Sequence, residues 1–273
     1  MISASSISEY LYCPLKAYLK YVQGYEVSSE PLIIGKLTHD LLRGFNEITK
    51  RNIWSLDNDM TLDEISRNLW EDVPSLIKKT TLKKDYKEIV DSDDLEEICE
   101  LLEDQFRLDS FLMVFKSRKM MNMGMTGDEI VDMLFPPSMV EFSLESRSIG
   151  LRGKVDKIEI DEGIYYPIEI KTGAPPVKGV WKSHAIQIAA YAILMEESFK
   201  KEVPIGFVDY VQVGERKPVI ISQKLREEFY STFNELENMI LEESVPEATP
   251  SSKKCNKCEF QEFCEYGESS VPS

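Results

Sequence analysis

The chain has 273 residues, 42% of them aliphatic, aromatic or cysteine, and a formal net charge of −16. That length allows one good core plus an inserted or flanking subdomain, and no run reaches the ~18 apolar residues of a membrane span. So large an acidic excess speaks against indiscriminate nucleic-acid binding, which needs lysine and arginine to neutralise phosphate.

The first residues, MISASSISEYLYCPLKAY, lack the basic stretch and apolar run of a secretory signal, so a cytoplasmic protein is expected. Its five cysteines then read as thiols or metal ligands before disulfides. The acidic excess sits in 51–140 and 221–273, while 141–220 is near neutral. A locally basic groove is compatible with that distribution, and so is an acidic surface facing a basic protein partner.

In chain order, residues 3–21 are expected as one helix capped by Ser5 or Ser8, with Ile7, Leu11, Leu15, Tyr18 and Leu19 at helical spacing. A second helix runs from near Leu32 through His39 to Asn46. Residues 50–135 carry a charged, helical pattern with no clear strand. Strands are expected at 139–143, 149–160 and 164–171, the last two joined by a hairpin turn at Asp161-Glu162-Gly163. After Gly173-Ala174-Pro175-Pro176 a helix covers 183–200. Strands at 205–213 and 219–222 flank a turn at Gly214-Glu215-Arg216-Lys217, a helix covers 225–242, and a loop-like tail comes last. The corresponding domains are 1–49 (N-terminal helices), 50–138 (helical insert or cap), 139–245 (core) and 246–273 (cysteine-rich tail).

Strand alternation places Glu169 and Lys171 on one face with Ile170 behind them, and Asp156 lies on the adjoining strand near Gly153. Exposed charge is the ordinary explanation of any single acidic residue in a strand. Two carboxylates on neighbouring strands can instead converge on Mg²⁺ or Mn²⁺, with a lysine beside them to stabilise charge on a phosphate. On the next helix Gln187 and Tyr191, four apart, share one face of an otherwise apolar segment. His184 is a weaker candidate for touching substrate, since a histidine at a helix start is more often simply solvated.

Cys255-x-x-Cys258, then Cys264, makes a compact thiol trio, with Cys13 as the distant fourth. Such a set can hold zinc or an iron–sulfur cluster. Cys99, beside Ile98 and Leu102, reads as a buried free thiol. Lys79, Lys83 and Lys87 fall at i, i+4 and i+8, with Lys78 and Lys84 alongside. A solvated helix face is the plain reading, and a strip guiding a phosphate backbone is the functional one. The methionines at 120, 121, 123 and 125 are assigned no chemistry.

Taken together, His39 after Gly35-Lys36-Leu37-Thr38, then Gly153-Lys154-Val155-Asp156, Glu169-Ile170-Lys171 and Gln187-x-x-x-Tyr191, resemble the RecB-like branch of the PD-(D/E)xK nuclease superfamily. The resemblance implies an α/β, restriction-endonuclease-like mixed sheet flanked by helices, with a helical insert and a four-cysteine staple joining the chain ends. It implies Mn²⁺ or Mg²⁺ bound by His39, Asp156, Glu169 and the carbonyl of Ile170. Lys171 would be catalytic, with Gln187 and Tyr191 supporting the site or contacting DNA. With Cys13, Cys255, Cys258 and Cys264 added, the chain is similar to the iron–sulfur members. Lacking a Walker A motif, it looks like the motor-free CRISPR-associated exonucleases. That resemblance implies a structural iron–sulfur cluster, 4Fe–4S rather than 2Fe–2S, and exonuclease action on single-stranded DNA or overhangs. The reaction would trim prespacer ends beside the CRISPR adaptation integrase complex, and a homo-oligomer stays open. The alternative is a catalytically weak scaffold that binds DNA ends or the integrase. The resemblance covers 1–45 and 139–266 and does not account for 50–135.

Overall fold

A computed structural model describes residues 1–264 except 28–29, 84–85, 87–91, 136, 248–249 and 257, and the backbone alone of 31, 92–94 and 252–253. The chain divides into two units, one of Met1–Ser28, Ser138–Tyr210 and the chain from Glu215, the other of Ser29–Pro137 with Val211–Gly214. Residues 29–49, His39 among them, thus fall in the second unit rather than with the first helices.

The first unit opens on a two-residue strand that the sequence does not announce, β1 (Ile2–Ser3), followed by α1 (Ala4–Tyr12). Ser3, not Ser5 or Ser8, is the cap. Its Oγ accepts the Ser6 N–H at 3.0 Å while Ser6 Oγ accepts the Ser3 N–H at 3.1 Å, a reciprocal capping box. A continuous helix to residue 21 does not form. Pro14 forces Cys13 into an extended conformation, φ −159° and ψ 110°. Helix α2 (Pro14–Tyr21) then restarts with the proline in its first turn, where no N–H is needed.

Strands β2 (Ser138–Ser146), β3 (Leu151–Asp161), β4 (Ile164–Lys171), β5 (Ile205–Tyr210) and β6 (Glu215–Ile220) join β1 in a six-stranded mixed sheet. β3 pairs with β1 in parallel and with β2 and β4 antiparallel; β5 runs parallel to β4, and β6 antiparallel to β5. The β3–β4 turn is as expected, with Glu162 and Gly163 both left-handed (φ 47° and 79°), as a type I′ turn requires. The second expected turn is displaced. A 3₁₀ turn at Val211–Val213 and then Gly214 link β5 to β6, so Glu215–Lys217 are strand.

Helix α8 (Lys182–Phe199) lies on the sheet, and its residues from Ile186 to Met195 are all buried. Burial all round results from its position, with β2–β5 on one side and α1 and α9 (Gln223–Glu242) on the other. Gly206 permits this approach. A Cβ there would lie 2.6 Å from Ile188 Cγ2 and 2.8 Å from the Pro167 carbonyl oxygen. Gly206→Ala is therefore expected to cost about 2 kcal/mol, read as a lower urea midpoint at unchanged slope. An unchanged midpoint would mean that the helix does not sit this close.

The second unit holds α3 (Glu30–Trp54), α4 (Leu62–Trp70), α5 (Val73–Thr81), α6 (Ser92–Asn122) and α7 (Gly127–Leu134), the helical content expected for 50–135. Thr61 with Glu64, and Thr126 with Glu129, form capping boxes that fix two of the starts. Leu37, Leu41, Phe45 and Phe106 belong to one apolar cluster, and Ile53, Leu69, Val114 and Ile130 to a second. Cys99 packs half-buried against the first, and burial raises its thiol pKa. Met120, Met121 and Met125 pack in the second, while Met123 is exposed. No helix among the described residues is long and apolar enough to cross a membrane.

Candidate active site

The sheet forks beside β3. Pairing with β4 runs from Asp161–Ile164 only to Lys157–Ile168, and pairing with β1 covers only Leu151 and Arg152. Residues 153–156 have no strand partner on that edge among the described residues, while β4 continues along β5 to Lys171–Tyr210. On its other edge β3 pairs with β2 on either side of Asp156 but not at Asp156 itself. Glu141, which would face it, is left-handed at φ 52°, a conformation that costs a non-glycine residue about 1–2 kcal/mol. Asp156 therefore sits where the β4 ladder has stopped and the β2 ladder is interrupted.

Its Oδ2 accepts the Ile170 N–H at 2.8 Å, so a side chain takes over where the β3–β4 ladder ends. Glu169, only 5% exposed, points inward, and Ile170 is half-buried, the reverse of the expected burial of these two. Glu169 Oε1 receives Lys171 Nζ at 2.8 Å and Gln187 Nε2 at 2.8 Å. Gln187 also accepts from Lys171 Nζ at 3.1 Å and donates to Tyr191 Oη at 2.9 Å. Tyr191 in turn donates to the Lys154 carbonyl at 3.1 Å, which satisfies part of the open edge of β3. Gly153 makes room for that ring, since a Cβ would stand 3.0 Å from Tyr191 Cε1. Asp156, Glu169, Lys171, Gln187 and Tyr191 are thus brought into one hydrogen-bonded constellation.

Burial first, and the neighbouring Glu169 charge second, push the Asp156 carboxyl up to about 8. Burial lowers the Lys171 ammonium pKa, but the Glu169 charge and hydrogen bond outweigh it and raise the net value, so Lys171 stays protonated. Tyr191 is held neutral by burial and then by the Glu169 charge. The remaining oxygen, Glu169 Oε2, is buried with no hydrogen-bond partner. A bare, buried carboxylate oxygen is costly. Glu169 and Asp156 line one cleft of about 610 Å³. A divalent cation held by Asp156 and Glu169 would supply the missing partner, and oxygen donors suit Mg²⁺ or Mn²⁺. The residues present fit that group.

His39 is on α3 in the helical unit. His184 Nδ1 is 2.9 Å from Tyr210 Oη; burial, and then Lys171, lower its pKa to about 4. It is a half-buried neighbour of the constellation rather than a solvated helix start. Lys79 and Lys83 do not share one helix face. α5 ends at Thr81, so Lys79 is in its last turn and Lys83 lies beyond it, bonded to Asp40 at 2.6 Å; Lys87 lies outside the described residues. Arg152, Lys154, Ser3 and Ser5 line the cleft without having been singled out in the sequence. The alternation of 152, 154 and 156 along one strand was the available signal for the first two.

Cys13, Cys255, Cys258 and Cys264 line one small cavity together with Lys16 and Phe260. None of the four is in a disulfide among the described residues, and burial raises the thiol pKa of Cys258. Among the described residues no three His, Cys, Asp or Glu side chains are already drawn into ligating geometry. Four soft donors around one cavity nevertheless fit zinc or an iron–sulfur cluster. Nearby contacts also hold the two ends of the chain together. Lys16 Nζ pairs with Glu259 at 2.8 Å, Lys254 Nζ donates to the Tyr12 carbonyl at 2.9 Å, and Tyr25 stacks on Phe263 at 4.3 Å.

This forked mixed sheet with its paired carboxylates accompanies a family match over residues 1–265: the chain belongs to the PD-(D/E)XK nuclease superfamily. More particular likenesses cover under half of it. It is 30% identical over 125 residues (45% of this chain, 60% of the relative) to the CRISPR-associated exonuclease Cas4 of Francisella tularensis subsp. novicida. It is 25% identical over 126 residues (46% and 65%) to that of Thermoproteus tenax. With a CRISPR-associated exonuclease Cas4/endonuclease Cas1 fusion of Leptospira interrogans it shares 24% over 127 residues (45% and 24%). The chain spans less than two thirds of each of these relatives.

Proposed function

We propose that the chain is a Mn²⁺- or Mg²⁺-dependent DNA exonuclease of the cytoplasm. It acts on single-stranded DNA or overhangs and trims prespacer ends in CRISPR adaptation, beside the integrase complex. One observation carries the catalytic reading: Glu169 has one oxygen fixed between Lys171 and Gln187 and the other buried without a hydrogen-bond partner, and Glu169 and Asp156 line one cleft. Asp156 and Glu169 hold the cation, with His39 and the Ile170 carbonyl as further ligands implied by resemblance. Bound there, the cation would polarise a phosphate and lower the pKa of a water. Lys171, protonated and fixed by two acceptors, offsets charge gathering on the phosphate. Gln187 orients Lys171 and Glu169 together, and Tyr191 anchors Gln187 to β3. The exonuclease names of the relatives support the reaction, and the fusion with endonuclease Cas1 supports the partner. The four cysteines hold an iron–sulfur cluster whose part is structural.

The test is cleavage of end-labelled single-stranded and overhang DNA by anaerobically purified protein in Mn²⁺, in EDTA, and with Asp156→Asn alongside. Shortening that needs metal and disappears in the variant is the expected result. A folded protein that leaves the DNA intact, alone and with the integrase present, overturns the reading in favour of a scaffold.

A further inference from the structure

Resting on that reading, we propose that Arg152 and Lys154 hold the phosphates adjacent to the one being cleaved. The DNA strand would then run along β3 from Asp156 towards the start of α1. Arg152, Lys154 and Asp156 are alternate residues of one strand, and all three line the cleft that contains Glu169. Two residues of a β-strand span about 6.6 Å, the order of separation of neighbouring phosphates on an extended nucleic-acid strand. The spacing of the side chains therefore matches the spacing of the charges they would meet.

Both cations are available. Arg152 is exposed and makes no ion pair with a carboxylate among the described residues. Lys154 pairs with Glu141 at 2.8 Å, but the two side chains are 57% and 44% exposed. A pair so open to water is worth about 0–1 kcal/mol, little against a phosphate. Ser3, the cap of the nine-residue α1, and Ser5 in its first turn line the cleft too, where a helix start carries partial positive charge. Asp156 and Glu169 supply the carboxylates of this cleft that suit a cation, and the strand order 152, 154, 156 sets the two basic side chains in line with them. Glu145, opposite Arg152 on β2, also lines the cleft, so Arg152 meets a phosphate beside one exposed carboxylate. Contacts to phosphate alone predict binding indifferent to base sequence.

The experiment measures the binding of labelled oligothymidine by anisotropy in Ca²⁺ over a range of salt, and cleavage in Mn²⁺. It uses the full chain, Arg152→Ala, Lys154→Ala, the double variant, and Lys224→Ala on the exposed face of α9 as control. Each cleft variant should weaken binding roughly tenfold and lower the salt slope by about 0.7 per lost contact. KM should rise more than kcat falls, the melting temperature should hold, and the control should match the wild type. A neutral methylphosphonate at the neighbouring linkage should weaken the wild type but weaken the double variant no further. Wild-type binding and salt slope in both variants, with wild-type cleavage intact, would overturn this inference and leave the nuclease reading standing. A wild type that neither binds nor cleaves removes both.

Discussion

Glu169→Gln is expected to cut metal-dependent cleavage on the order of 10³-fold or more while leaving the metal-free protein folded and more stable. Glutamine keeps an acceptor for Lys171 and Gln187, and its amide replaces the oxygen that now has no partner. It also removes the charge that, after burial, does most to raise the Asp156 pKa, so that pKa falls and the carboxylate becomes more available as a counterion of Lys171. Differential scanning fluorimetry with and without Mn²⁺ checks this. The wild type should gain stability on adding metal and the variant little, and an equal gain would mean that Glu169 is not a ligand. The pH dependence arises from the same pair. Asp156 titrates at about 8 in the fold and near 3.9 when unfolded. Between those values the folded state keeps a proton that the unfolded chain has released, so stability falls as pH rises. His184, at about 4 in the fold against about 6.5 unfolded, works in the opposite sense, because there the unfolded chain takes the extra proton. The two oppose each other below about pH 6.5 and Asp156 acts alone from there to 8. Metal-free wild type should lose thermal stability from pH 6.5 to 8, and Asp156→Asn should flatten that decline.

Cys258→Ala should bleach a brown protein, lower its iron content and reduce its melting temperature. Ligation of Cys13 together with Cys255 closes a loop across most of the chain, which on the loop-closure scale removes about 5 kcal/mol of unfolded-state entropy. For a chain of this size that corresponds to roughly 10–15 °C. The contacts of Lys16, Lys254 and Tyr25 with the tail survive the substitution, so the variant should still fold. Cys99→Ala, in the helical unit, should change neither colour nor metal content and isolates the effect to the cavity. A Cys258→Ala protein that stays brown and equally stable would mean a different ligand set. A colourless wild type with one bound zinc would mean a tetrathiolate zinc site.

Asp156, Glu169, Lys171, Gln187 and Tyr191 were legible in the sequence because each lies in a regular element, where alternation or i, i+4 spacing states which side chains share a face. The breaks were harder. The chain turns at Cys13–Pro14 because proline acts on the residue before it, and a helical apolar pattern running through 3–21 conceals that. Strand β1 is two residues long, too short for any periodicity, and its partner is about 150 positions away. The turn at Val211–Val213 carries no glycine, so Gly214 drew the expectation too late. Glu169 turns inward and Glu141 is left-handed because the sheet forks, and a fork depends on which strands pair rather than on what any one strand contains. Lys79 and Lys83 part company for a local reason, since α5 stops at Thr81.

The parallel pairing of β1 with β3 bears on the order in which the chain folds. Residues 2 and 3 find their partners only at 151 and 152, and Cys13 meets its cavity mates only at 255–264. During synthesis, at ~5–20 residues per second, α1 and α2 therefore emerge with Ile7, Leu15 and Leu19 uncovered, and they wait for α8 and the sheet to be made. The helical unit, Ser29–Pro137 with Val211–Gly214, draws on mostly local contacts and can settle largely in the meantime. This early segment is thus among the last to dock, and contacts so distant in sequence slow that step. A nascent chain in this interval presents sticky apolar helices, which makes it a natural client for a chaperone.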